Sequence, residues 1–157
     1  MKSTVILALF STLVGFNSFS QEDDHDCNHE HHKNEIGVAN SPVYFIKEKE
    51  ISYGLHIHYV RNISKFGLGL GYERIFDEHK HSTYGIVLMY RPIERLSFNF
   101  SPGVSFEAES TSGIFAFHIE SAYEFEINDF HIGPAFEFAY DAEDMHISLG
   151  LHIGYGF

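Results

Sequence analysis

Tryptophan is absent from the chain, cysteine occurs once, and lysine and arginine together number 10 against 22 aspartates and glutamates. Each shortage excludes a class of protein. A lone Cys27 cannot close an intramolecular disulfide, so this is not a disulfide-stapled secreted module. A net charge of -12 without any basic patch offers nothing to grip a phosphate backbone, which excludes nucleic acid as a partner. Long apolar runs are missing too. The stretch from Val5 to about Phe16 is interrupted by Ser11, Thr12 and Gly15, and it falls short of the roughly 20 residues that a helical span needs.

That stretch reads as an export signal instead. Lys2 supplies the positive start, and Ser18-Phe19-Ser20 supplies small residues before a cut at Gln21, so residues 1–20 are expected to be a signal peptide. Cys27 is badly placed for lipid attachment, because Asp23, Asp24 and Asp26 stand where small and apolar residues would be required. Residues 21–34 form an acidic, His-rich segment with no apolar period and are expected to be disordered. Residues 35–157 then make one domain.

What is present in that domain is Phe (16 in the chain), Tyr (9) and Gly (13), a mixture of strand formers and turn formers. Apolar and polar positions alternate with period two. Ile147, Leu149, Leu151, Ile153, Tyr155 and Phe157 fall on one face, against His146, Ser148, Gly150, His152, Gly154 and Gly156 on the other. Turn residues cut the domain into strands at about 35–46, 51–61, 66–76, 82–91, 96–106, 113–126, 130–140 and 145–157. The connections alternate between a short set, such as Ile127-Asn128-Asp129, and a more charged set, such as Asp77 to His81. An even number of hairpins with two unlike sets of turns predicts an all-β, eight-stranded, antiparallel up-and-down barrel.

Residue size decides what surrounds the barrel. A water-soluble barrel needs bulky apolar side chains inside, but an eight-stranded barrel encloses room only for side chains, and here one face is Gly, Ser, Ala, His and Glu. That face fits the inside. Phe, Leu, Ile and Tyr on the other face fit lipid and would form an exposed apolar belt in water.

The signal, the aromatic-rich alternating strands and the final Gly150-Leu151-His152-Ile153-Gly154-Tyr155-Gly156-Phe157 resemble the small outer-membrane β-barrel proteins of OmpA/OmpX-like architecture, particularly those of Bacteroidota-type bacteria. The resemblance covers residues 35–157. It implies location in the outer membrane, contact with outer-membrane lipid, and recognition of the last strand by the barrel-assembly machinery through Tyr155 and Phe157. For activity it implies little, since such barrels include adhesins, anchors, ligand binders and a few lipid-modifying enzymes.

Twelve histidines are many for this length, and they gather in three places. His25, His29, His31 and His32 lie with Cys27 in the acidic segment, where imidazole, thiolate and carboxylate suit a divalent transition-metal ion such as zinc, copper or nickel. His56, His58, His118, His131, His146 and His152 fall on the inward face with Glu73, Arg91, Arg95, Glu120, Glu124 and Glu137. Hairpin pairing sets Glu120 opposite Glu137 with His118 in reach, and it brings Glu124, His131 and His152 together. The first reading of this network is a hydrogen-bonded plug, and an interior metal or proton site is the second. His79 and His81 are placed on an outer loop and read as solvated.

Three functions follow. The first is a non-enzymatic outer-membrane barrel that binds a transition metal through its His-rich periplasmic segment. An alternative is a purely structural or interaction barrel. The third is a lipid-modifying enzyme, which the inward histidines and the lack of a Gly-x-Ser-x-Gly elbow disfavour. A pore is excluded because side chains fill so narrow a barrel.

Overall fold

Side chains that alternate between lipid and interior can sit only on extended backbone, and in hydrocarbon every strand edge must be paired. The computed structural model meets both demands. It describes residues 32–78, 80–108, 112–142 and 144–157, so residues 1–31, which hold the expected signal peptide and most of the acidic segment, lie outside the described residues.

The strands are β1 (Asn34–Phe45), β2 (Ile51–Ile63), β3 (Phe66–Ile75), β4 (Ser82–Ile93), β5 (Leu96–Phe106), β6 (Ile114–Tyr123), β7 (Phe125–Ile127), β8 (Phe130–Asp141) and β9 (Met145–Gly156). All pair antiparallel with their neighbours, and β1 pairs with both β2 and β9, which closes the barrel. β6 and β7 are one barrel strand of a single register, since Ala122 faces Ala135 and Phe125 faces Ile132. The break between them falls beside Pro134, which stands opposite Tyr123 and has no N–H to give to the ladder. The barrel therefore has eight strands, as the alternation predicts.

The short turns 64–65, 94–95 and 128–129 lie at the same end as Asn34 and Phe157, where Asn34 N donates to Phe157 O at 3.0 Å. Asn128 takes φ 57°, a left-handed conformation that asparagine tolerates better than most residues. The longer connections lie at the opposite, loop end. Between β4 and β5 the register slips by one residue between Tyr90 and Ile93, where Pro92 again lacks a donor.

Outward positions carry the large apolar side chains: Leu70 is 68% exposed, Leu149 66%, and Leu88 lies opposite Phe100 at mid-strand. Aromatic pairs ring both ends, Phe66–Tyr90 (5.1 Å) and Phe130–Tyr155 (4.9 Å) near the termini, Tyr72–Tyr84 (5.0 Å) and Tyr53–Phe76 (5.9 Å) toward the loops. An apolar band between aromatic girdles is the outer surface of a membrane barrel.

The interior differs from expectation in one respect. Besides small and polar residues it holds two apolar clusters, Val43–Phe45–Ile75 toward the loops and Val60–Val87–Met89 in the half nearer the termini. Where a facing strand offers only glycine, a larger side chain fills the gap: Gly69 stands opposite Val60 and Val87, and Gly67 opposite Met89.

Candidate functional site

The six strand histidines assigned inward by alternation are all buried, from His58 (1%) and His152 (0%) to His131 (9%). They share the barrel axis with five buried glutamates and one buried arginine among the described residues, in three layers.

Nearest the termini, Arg91 on β4 reaches two carboxylates from opposite directions. Its Nη2 lies 3.1 Å from Glu35 Oε2 and 3.2 Å from Glu124 Oε2, and Ser97 Oγ donates to Glu124 Oε1 at 2.6 Å. His131 Nε2 stands 3.4 Å from Glu35 Oε1, and His58 Nε2 stands 3.9 Å from it. The rings need space that glycine leaves. A Cβ on Gly154 would fall 1.8 Å from His131 Nε2, and one on Gly37 would fall 2.3 Å from His58 Nε2.

In the middle layer Glu120 accepts from Asn99 Nδ2 at 3.0 Å. His152 Nδ1 lies 3.6 Å and His56 Nδ1 3.7 Å from its two oxygens. Toward the loops, Glu73 from β3, His118 from β6, Glu137 from β8 and His146 from β9 converge, with one ligand-type atom of each inside a 4.8 Å sphere of mutual distance. Above them His146 packs on Phe45 (5.3 Å between ring centres), and a cavity of about 10 Å³, room for one water, lies between His118, His146 and His81.

All six residues of the expected interior cluster are buried, and they are spread over the three layers. Glu120 is the register partner of Glu137, and Gly133 is that of His152. Glu124, His131 and His152 form one group of facing ligand atoms. Glu35, at the start of the first expected strand but not among the residues assigned inward, is buried at 3% and held by Arg91. Two placements differ from the sequence reading. Arg95 is exposed in the β4–β5 turn, because the slip at Pro92 breaks the alternation that pointed it inward. His81 is not a solvated loop residue: its Nδ1 lies 2.6 Å from Asp77 Oδ2 and 3.6 Å separates its Nε2 from Glu107 Oε1. His79 lies outside the described residues.

Of the proposed metal-binding segment, His25, Cys27, His29 and His31 lie outside the described residues. His32 is described and exposed, its Nε2 3.4 Å from Asp129 Oδ1 and its carbonyl accepting from Asn62 Nδ2 at 3.0 Å. Tyr155 and Phe157 face outward, their rings stacked at 5.9 Å.

A closed eight-stranded barrel, apolar outside and polar within, defines the outer-membrane β-barrel class of fold. Solved structures agree. The chain superimposes on the crystal structure of Neisserial surface protein A with a TM-score of 0.58 at 10% identity, covering 79% of this chain and 96% of that one. A de novo designed transmembrane β-barrel matches with a TM-score of 0.56 at 12% identity, covering 78% and 95%. The N-terminal β-barrel domain of Pseudomonas aeruginosa OprF matches with a TM-score of 0.50 at 17% identity, covering 80% and 99%. At such identities the likeness is one of fold. No protein-family model and no curated protein matches the chain.

Proposed function

We propose that the chain is a non-enzymatic, non-conducting barrel of the bacterial outer membrane, which anchors charged loops on one side and an acidic, His-rich segment on the other. The observation that carries this reading is the packed interior: His58, His152, Glu120 and Glu124 are among the largest fully buried side chains, and they lie across the axis where a pore would run. The polar chemistry points away from lipid. Ser97, the serine hydrogen-bonded to a buried carboxylate, is 0% exposed, which does not suit attack on a membrane lipid. Single-channel recording of the refolded protein in planar bilayers tests the reading. No steady conductance is expected, and a stable open level would overturn it.

A second reading, uptake of a transition-metal ion by the His-rich segment, draws support from His32, the described histidine of that segment, which stands beside the carboxylate of Asp129 at the terminal end of the barrel. Zinc titration of the full chain against a variant lacking residues 21–31 tests it. The deletion must stop there, because Glu35 belongs to the barrel. Loss of bound zinc on deletion is expected, and equal binding by both proteins would sink the idea.

A further inference from the structure

We propose that Glu73, His118, Glu137 and His146 form a four-coordinate site for a divalent transition-metal ion of zinc's class, buried inside the barrel toward the loop end. This site is separate from the N-terminal segment and does not depend on it.

Distance is the first argument. His118 Nδ1 lies 3.3 Å from Glu73 Oε2 and 3.4 Å from Glu137 Oε1, while His146 Nε2 lies 4.0 Å from Glu73 Oε1 and 3.9 Å from Glu137 Oε1. A charge-assisted N–H···O bond would close to about 2.7–2.9 Å. These atoms stand farther apart than that. Zinc bonds of about 2.0–2.1 Å to nitrogen and oxygen place neighbouring ligand atoms of a tetrahedron about 3.3–3.4 Å apart. Two of the separations already have that value, the two to His146 exceed it by about half an ångström, and the Glu73 carboxylate, which meets His118 through Oε2 and His146 through Oε1, turns to present one oxygen to the ion.

Satisfaction is the second argument. Glu73 Oε2 and His146 Nε2 are buried without a hydrogen-bond partner, on side chains only 6% and 7% exposed. Buried polar atoms normally have partners, and those that do not require an explanation such as an ion. Both belong to residues that each bring one ligand-type atom within 4.8 Å of those of the other three.

Charge is the third. Two buried carboxylates that close repel each other unless a cation or a proton intervenes. The buried guanidinium of the interior, Arg91, is engaged with Glu35 and Glu124 at the other end. A divalent ion with two neutral imidazoles and two carboxylates is a neutral unit, suited to a low-dielectric interior. The nitrogen and oxygen donor set fits zinc. A small cavity bordered by His118, His146, His81 and Asp141 lies beside the site.

The test uses the full chain with the N-terminal ligands replaced (H25N, C27S, H29N, H31N and H32N), refolded in detergent, with heat-dependent gel mobility as the check on folding. Co²⁺ serves as the probe, because a four-coordinate N/O site gives it an intense visible absorption. One equivalent bound with that spectrum is expected, competed off by Zn²⁺. E137Q and H146N should each weaken binding by more than about 100-fold while the barrel still folds, since even groups outside the ligand set are worth about 10–100-fold. If either variant fails to fold, E73Q, equal in volume to the native residue, is read in its place. A folded barrel that binds no Co²⁺, binds it with a six-coordinate spectrum, or binds it equally well in the variants would overturn the proposal. The N-terminal segment is already removed as a ligand here, so its own failure or success as a metal binder is read separately.

Discussion

Glu35 on the first strand and Arg91 on the fourth meet inside the barrel, 3.1 Å between Oε2 and Nη2, although their strands are not neighbours in the sheet. Through Arg91 the contact extends to Glu124, so three walls of the barrel are tied at the terminal end. Removing the cation would leave two buried carboxylates facing each other. R91M should therefore destabilise the barrel by about 3–5 kcal/mol, the cost of breaking a buried ion pair from one side. Urea unfolding in lipid vesicles measures it, and a change below about 1 kcal/mol would show that the pair is solvated.

Gly154 leaves the space that His131 occupies. In G154A the new methyl would overlap the imidazole, and overpacking of this kind should cost about 1–3 kcal/mol. The double variant G154A/H131A should cost less than the sum of the single changes, because the clash disappears with the ring. Strict additivity in the same unfolding assay would contradict the packing described.

Leu88 and Phe100 are partners on the outer face at mid-strand. L88R should destabilise the membrane-inserted barrel by about 2–4 kcal/mol, as arginine does near the bilayer midplane, whereas E94R in the short β4–β5 turn should lie within about 0.5 kcal/mol of the parent. Equal effects at the two positions, measured by unfolding from vesicles, would mean that the apolar band does not face lipid.

The strands could be read from the sequence because each one reports its own two faces. β2, β5, β8 and β9 begin at Ile51, Leu96, Phe130 and Met145, where the turn residues end. Local pairing was also readable. Glu120 and Glu137 lie on strands joined by a short turn, so counting from Asn128 places them opposite each other. Contacts across the lumen were not. Glu73 lies on β3, on the far wall from Glu137 on β8, and no count along a hairpin brings the two together. Glu35 opens the first expected strand, but its contact with Arg91 crosses the lumen and is not visible from hairpin counting. Arg95 was wrongly assigned inward, since period-two alternation cannot be carried past the slip at Pro92.

The central claim is that bulky apolar side chains face lipid while histidine and glutamate face inward, and site-directed spin labelling in lipid vesicles tests it most directly. With Cys27 replaced by serine, labels are placed singly at Leu88→Cys, Phe100→Cys and, in the loop end, Glu107→Cys. The first two should be accessible to membrane-dissolved oxygen and shielded from a water-soluble nickel chelate, and the third should show the reverse. Labels at Leu88 and Phe100 that the nickel chelate reaches as readily as the one at Glu107 would contradict a membrane-spanning barrel.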